Sequence, residues 1–468
     1  MFYPKGNIRY VYIIILFTIF FGAAINCKEN STTTFDRLRA YIDTIRVINT
    51  HEHQHEPADY AGQKYTFYTI LANAYLRADL VSAGAPAFKP DVLNQSSLDE
   101  LWGMYGPYLD FSRNTSYYNH FLTGIRILYG FNEPYFTKKR IATLSEEIAE
   151  NYNNREAWYK KAVEKAGFDI MLLDQYWDNF NVDIDTRYFA LVFNINSLVS
   201  MISARSEVDF YKDSVLKDPF ELATKEGFSI KNIDDYLAFA DHMMTKFLAH
   251  KAVSLKNTLA YSRAIHFQDV PYEKANELFE RSPETLSTAE KKALQDFMFH
   301  WIINKSIEVD LPIQIHTGYL AGNANTLENS RPTLLNNLFL KYPKARFVIF
   351  HGGYPWTGEF AALGKMFPNV YLDLVWLPQI SREAAVRALD EMLDCVPYNK
   401  FFWGGDCGFI EESVGSLEFG KDVVARVLAA RVDRGLMTED VACDVALKIF
   451  RENALRFFKL EEKLDREF

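Results

Sequence analysis

The sequence predicts a (β/α)8 TIM barrel, and three observations carry that prediction. Eight short apolar runs recur between residues 44 and 406, helical periodicity separates most of them, and four of the ten histidines fall at or near the C-terminal ends of those runs. The runs are Thr44–His53, Phe168–Asp174, Tyr188–Ile195, His250–Thr258, Leu311–His316, Ala345–His351, Asn369–Val375 and Lys400–Asp406. Helical patterns follow over Thr288–Lys305, Pro332–Lys341, Ser381–Leu393 and Gly415–Arg434, with Gly435 as the expected cap of the last. Residues Thr438–Leu460 read as closing helices.

A barrel of this kind needs about 250 residues, so a chain of 468 residues carries surplus material. It falls after the first strand, over residues 56–165, and after the third, over residues 196–249; both stretches read as helical. Insertions behind barrel strands lie on the catalytic face, so both are expected to roof or wall a pocket. The barrel is thus expected over 44–460, with an exposed segment at 28–43 and a short tail at 461–468.

Composition narrows the class. Hydrophobic residues make up 49% and charged residues 24%, with 37 Phe and 27 Tyr, which is enough apolar side chain for a large core. The net charge of −10 and the lack of a basic stripe argue against nucleic acid as a partner. Lys5 and Arg9 precede an apolar run from Tyr10 to Ile25, the pattern of an export signal over residues 1–27. Cys27 directly after that run resembles a lipoprotein attachment site; cleavage after Ala24 and an uncleaved anchor are the alternatives. Each places the chain outside the cytoplasm, in the cell envelope or secreted, and confines membrane contact to the N-terminus. Cys395, Cys407 and Cys443 fit neither a zinc ribbon nor a CxxC motif and are expected as small buried residues.

The chemistry is concentrated at strand ends. In Asn49-Thr50-His51-Glu52-His53, period-two alternation puts His51 and His53 on one face and Glu52 on the other, so two imidazoles can grip one metal ion from the same side. His316 ends the fifth run, His351 the sixth before Gly352-Gly353, and Asp406 the eighth after Gly404-Gly405. Alone, each has an ordinary structural reading; together they form the radial set that a barrel mouth requires. In the fourth run, alternation turns Ala252, Ser254 and Lys256 inward. Tyr261 and Arg263 follow it and could reach an anionic substrate, although a loop arginine is an equally good reading. Asp174 ends the second strand facing the site or capping a loop, and Asp373 is expected to support the site by hydrogen bonds. His55 lies just beyond the pair, and His120, His242, His250, His266 and His300 have no positional argument in their favour.

On Asn49–His53, Ile315-His316-Thr317-Gly318, Phe350-His351-Gly352-Gly353-Tyr354-Pro355, Tyr371-Leu372-Asp373, Trp403-Gly404-Gly405-Asp406 and Ile449–Ala454, the chain resembles the amidohydrolase superfamily, in its amidohydrolase-related branch. The resemblance implies His51, His53, His316 and Asp406 as ligands of one divalent cation, often zinc, with Asp406 moving a proton and His351 polarising a substrate carbonyl. It also leaves open a second metal held by His316 and His351 and bridged by Lys256 in carbamylated form, the other expected role of Lys256 being to contact substrate. The implied function is a metal-dependent hydrolase cleaving an amide, lactone or ester-like bond of a small molecule. The alternatives are a non-oxidative decarboxylase on the same site, a uronate-isomerase-like enzyme suggested by the long first insertion, and a non-catalytic envelope binding protein. Barrels of this branch often form homodimers.

Overall fold

The structure is a computed structural model that describes residues 32–55, 65–203 and 216–464. The expected export signal and Cys27 lie outside the described residues. Eight parallel strands form one sheet in sequence order: β1 (Val47–Glu52), β2 (Phe168–Asp174), β3 (Phe189–Asn194), β4 (Ser254–Asn257), β5 (Ile313–Ile315), β6 (Phe347–Ile349), β7 (Val370–Asp373) and β8 (Phe401–Phe402). Each lies inside the run that predicted it. Consecutive parallel pairing requires a crossover between every two strands; helices supply all of these except β2–β3, where residues 175–188 form turns and irregular structure. The ring is joined across its β8–β1 seam by main-chain bonds from Thr50 N–H to the Trp403 carbonyl (3.2 Å), Asp406 N–H to the His51 carbonyl (2.8 Å) and His53 N–H to the Cys407 carbonyl (3.0 Å). The architecture is therefore a (β/α)8 barrel.

The strands are buried on both faces, which is why they read as continuous apolar runs. The exception is the inner layer at the C-terminal end, which is polar. Thr50 Oγ1 donates to Asp373 Oδ2 (2.6 Å), Gln314 Nε2 to the Thr50 carbonyl (2.9 Å), and Asn194 Nδ2 to Asp174 Oδ1 (2.8 Å). Register places Asn194 beside Lys256 and Lys256 beside Gln314. Burying such a ring is unfavourable unless its members satisfy one another or a ligand, and this ring marks the functional end of the barrel.

The first surplus stretch is helical, with seven helices from Phe67–Asn73 to Arg155–Ala166 among the described residues. Its helix Ser116–Tyr129 packs on Ile410–Asp433, which begins behind β8. The two backbones meet at Gly124 and Gly415: a Cβ on Gly124 would strike the Glu411 carbonyl, and one on Gly415 the His120 carbonyl. Glu411, fully buried, accepts from the hydroxyls of Tyr129 (2.6 Å) and Tyr152 (2.9 Å), which ties the insertion to the barrel. The second stretch contains helices Asn196–Met201, Pro219–Lys225 and Ile233–Ala249.

Two expectations are corrected. The segment 28–43 is not simply exposed. It contains helix Thr34–Asp43, whose Leu38 and Ile42 are wholly buried and whose Arg39 pairs with Glu418 at 2.6 Å, because its apolar stripe packs on Ile410–Asp433. Of the three C-terminal cysteines only Cys407 is buried; Cys395 and Cys443 lie on outer helices and are partly exposed. Gly435 caps as expected: it takes φ 71°, and Leu436 N–H donates to the Arg431 carbonyl (2.9 Å) in a Schellman closure. Among the described residues, no helix is long and apolar enough to cross a membrane.

Candidate metal centre

Alternation along β1 turns His51 and His53 to the barrel mouth. Their Nε2 atoms lie 3.1 Å apart, and Asp406 Oδ1 stands 3.3 Å from the first and 3.0 Å from the second. Bonds of ~2.1 Å to a shared ion put neighbouring donors about 3.0 Å apart in an octahedron and about 3.4 Å apart in a tetrahedron. The three atoms thus have the spacing of one coordination shell.

Proton bookkeeping supports the same reading. His53 Nδ1–H donates to the Asp174 carbonyl (2.9 Å), His316 Nε2–H to the Tyr319 carbonyl (2.8 Å), and His351 Nδ1–H to the Val375 carbonyl (3.2 Å). A neutral imidazole whose proton is committed in this way presents a lone pair at its other nitrogen. His316 Nδ1 and His351 Nε2 therefore face each other, lone pair to lone pair, at 3.1 Å. His51 Nε2 meets His53, Asp406 and, at 3.0 Å, Lys256 Nζ, and a single ring nitrogen cannot answer all three by hydrogen bonding. Lone pairs that converge without protons fit a cation, and backbone carbonyls behind the rings are the usual device for aiming metal-binding histidines. Burial, reinforced by the Lys256 ammonium, holds His316 down to about 3, and burial together with His316 holds His351 well below its ordinary value, so both rings are neutral as ligands must be.

The surrounding groups hold this shape. Asp406, whose φ of 60° lies in the left-handed region, follows Gly404-Gly405 and is fastened by residues of β1. Asn49 Oδ1 accepts from Gly405 N–H (2.8 Å), Glu52 Oε2 from Cys407 N–H (2.9 Å), and Asn49 Nδ2 donates to Glu52 Oε1 (2.5 Å). Glu52 thus points away from the ligands, as alternation predicts, and burial pushes its carboxyl up to about 8. Burial opposes the charge on Asp406, but in the metal-free chain its contacts with His51 and His53, which share a proton with it where a cation would stand, outweigh burial and hold the carboxyl well below the usual range. Asp373 takes the supporting role expected of it, accepting from Thr50 and from Val375 N–H (2.9 Å).

The expected site residues divide as follows. His51, His53 and Asp406 form one cluster, and His316 and His351 form an adjacent pair, with Asp406 Oδ2 3.9 Å from His351 Nδ1. Lys256 is 1% exposed, with Nζ 3.6 Å from the Phe350 ring centre, among the ligand atoms rather than on the pocket wall. Tyr261 packs its ring 4.8 Å from His316, and its hydroxyl accepts from Ala321 N–H. Arg263 is corrected: its guanidinium is buried against Asp296 of helix Thr288–Glu308 at 2.8 Å and stacked over Phe267, an ion pair that ties loop to helix and leaves the arginine committed there. Asp174 is closer to the site than the sequence alone required. His51, His53 and Asp174 offer one ligand atom each, all within 4.8 Å of one another, a group able to hold a metal ion. The two carboxylates differ in placement: Asp406 Oδ1 faces both Nε2 atoms, whereas Asp174 Oδ2 lies 3.9 Å away on the Nδ1 side of His53, where the ring proton is already committed.

Sequence reading missed the aromatic collar. Tyr75, from the first insertion, donates its hydroxyl to the Asp406 carbonyl and packs 4.5 Å from Trp376, whose ring lies 5.1 Å from His351. Tyr176 stands edge-on to His53 at 4.9 Å. These residues lie in loops and an insertion, where spacing carries no signal. Three of the histidines without a positional argument have partners away from the ligand cluster: His120 bonds Glu412, His242 bonds Glu226, and His300 bonds Tyr342.

Residues 292–460 match the family model described as Amidohydrolase. A 226-residue stretch is 30% identical to Protein fluG of Emericella nidulans; it covers 45% of this chain and 26% of that protein, so the chain spans about a quarter of that relative's length. Among solved structures, a uronate isomerase from Thermotoga maritima superposes with TM-score 0.74 at 14% identity, over 91% of this chain and 97% of that one. A glucuronate isomerase from Caulobacter crescentus gives 0.68 at 15%, over 94% and 96%. A candidate metal-dependent hydrolase from Lactobacillus casei gives 0.62 at 16%, over 92% and 99%. At these identities the three structures speak for the fold.

Proposed function

From the premise of an amidohydrolase-superfamily barrel, we propose that this chain is a metal-dependent hydrolase that cleaves an amide, lactone or ester-like bond of a small molecule. The observation that carries the reading is the convergence of His51 Nε2, His53 Nε2 and Asp406 Oδ1 at 3.0–3.3 Å, beside the facing lone pairs of His316 and His351. Imidazole and carboxylate donors suit Zn²⁺ and also Mn²⁺ or Fe²⁺. A divalent cation held there supplies Lewis acidity, which brings the pKa of water toward ~7.

The protein's own groups do the rest. Asp406, held as a carboxylate, accepts the proton from the attacking water and returns it to the leaving group. His351, locked by Val375, presents its Nε2 lone pair to the mouth beside His316 Nδ1, as a ligand of a second ion rather than a donor to the scissile group. The aromatic collar of Tyr75, Tyr176 and Trp376 excludes bulk water from one side. His316 and His351 form a donor pair of their own, with Lys256 beside His51; this arrangement favours two ions over one, and Lys256 would bridge them as a carbamate, formed when its neutral amine adds to CO2 with loss of a proton, rather than contact substrate.

Metal analysis and product analysis test the proposal. His51→Ala/His53→Ala is expected to lose bound metal, and Asp406→Asn to lower kcat by roughly 10²–10⁴ while substrate binding persists. Full metal occupancy in the double variant would sink the assignment, and one or two ions per chain decides the role of Lys256. The second reading is an aldose–ketose isomerase of sugar acids, favoured by the likeness to two such enzymes over more than nine-tenths of the chain, insertions included. Water incorporated into product supports hydrolysis, and an isomer of unchanged mass supports the alternative. Export to the cell envelope is proposed from the N-terminal pattern alone; secretion of the full chain and lipid labelling lost in Cys27→Ser would bear it out.

A further inference from the structure

The ligand residues are not equally sheltered. His51, His316, His351 and Asp406 are at most 5% exposed, whereas the His53 side chain keeps 19% of its surface. Approach to the metal centre is therefore over His53, on the side of the loop that follows β2. Tyr176 stands there. Its ring is nearly perpendicular to His53 at 4.9 Å and to Trp177 at 5.3 Å, and Trp177 in turn lies 4.2 Å from the His55 ring. With these neighbours in place, Tyr176 is still 38% exposed.

The turn that displays this ring is fixed. Asp178 N–H donates to the Gln175 carbonyl (3.0 Å) and Asn179 Nδ2 to the Tyr176 carbonyl (3.2 Å). Ser197 Oγ donates to Asn179 Oδ1 (2.6 Å), which anchors the turn to helix Asn196–Met201. Gln175 and Asn179 are buried on either side of the displayed segment. A large ring held partly in water on a rigid turn gains by being covered, and beside a metal ligand the molecule that reaches the metal is what covers it.

The chemistry of that molecule follows from what the opening offers. Of the two cations that could answer an acidic substrate, Arg263 is bound to Asp296 and Lys256 is buried among the ligand atoms. The second ligand cluster is also faced by an aromatic ring, that of Tyr261, 4.8 Å from His316. The edges and faces of such rings favour a planar π-system over a saturated or heavily hydroxylated group. Resting on the hydrolase reading, we propose that Tyr176 determines specificity by packing against an aromatic ring beside the scissile bond. The substrates are then aryl-bearing esters, lactones or amides rather than sugar acids.

Equilibrium binding to the metal-loaded full chain tests this without turnover. The probes are phenylacetate and cyclohexylacetate, which share a carboxylate to ligate the metal and differ in the aromaticity of the ring, with glucuronate as the sugar acid. Phenylacetate is expected to bind more tightly than glucuronate, a comparison that needs no variant. Tyr176→Leu, at an exposed position, is expected to lower the ratio of phenylacetate to cyclohexylacetate affinity by roughly two- to tenfold, and Tyr176→Phe to preserve it. Tighter binding of glucuronate, or an unaltered ratio in Tyr176→Leu, overturns the proposal. Methyl esters of the two ring acids, assayed separately, keep this test apart from the hydrolase reading. Ring preference in a chain that hydrolyses neither ester supports the aryl site and counts against hydrolysis; hydrolysis with an unaltered ratio counts against the aryl site alone.

Discussion

Gly405 has no room for a side chain: a Cβ there would land on Glu52 Oε1 and beside Asn49 Nδ2, the two groups that clamp the loop carrying Asp406. The glycine is thus a condition of bringing β8's end against β1, and with it the carboxylate against the two imidazoles. Gly405→Ala is expected to destabilise the fold by about 1–3 kcal/mol, the range for an overpacked core site, and to weaken metal retention because Asp406 is displaced. Paired thermal melts and metal analysis check both; unaltered retention would mean that the clamp does not set the ligand's position. At this scale the ligand pair, His316, His351 and Asp406 were all readable, since strand-end position is a property of local sequence. The commitment of Arg263 to Asp296 was not, since its partner lies on a helix more than thirty residues further along the chain.

Helix Thr288–Glu308 shows how an element can carry its own start signal. Ser287 Oγ accepts from Glu290 N–H (3.3 Å), and Glu290 Oε2 accepts from Ser287 N–H (2.9 Å), a reciprocal capping box joined by Arg281. The main-chain bond from Ser287, then Arg281, hold the Glu290 carboxyl down to about 2 against an ordinary 4.5. Since the folded value is the lower, the contribution to stability is present above about pH 4.5 and is lost as pH falls toward 2. Glu290→Gln is expected to flatten that part of the acid-denaturation profile and to lower stability near neutrality without changing its pH dependence there; an identical acid limb in both proteins would refute it. The strands were equally legible as apolar runs, but their hydrogen-bonded cores are shorter than the runs. In β8 only Phe401 and Phe402 pair as strand, because the chain turns at Gly404-Gly405 to present Asp406.

At the scale of the whole molecule, the first insertion is part of the site. It reaches the mouth through Tyr75 and is fixed below by the Gly124–Gly415 approach and by Glu411. Gly124→Ala forces apart two helices whose backbones touch, so a loss of about 1–3 kcal/mol is expected, together with lower turnover as Tyr75 withdraws from the Asp406 carbonyl. Melting temperature and steady-state kinetics on the same preparation test the coupling; lost stability with intact turnover would show that the insertion is only a scaffold.

The barrel, its eight strands and the radial order of His51, His53, His316, His351 and Asp406 follow from periodicity and strand-end position, which are local and survive in one dimension. Three things depend on tertiary structure: the division of the ligands into a triad and a facing histidine pair, the burial of Lys256 among them, and the aromatic collar. Each depends on distances between residues far apart in the chain, set by how the insertion packs on the helix behind β8, and no local pattern encodes that packing. The pair His51 and His53, separated by one residue at the end of the first strand, acquires its chemistry only when the seam between β8 and β1 brings Asp406 within 3.3 Å of both.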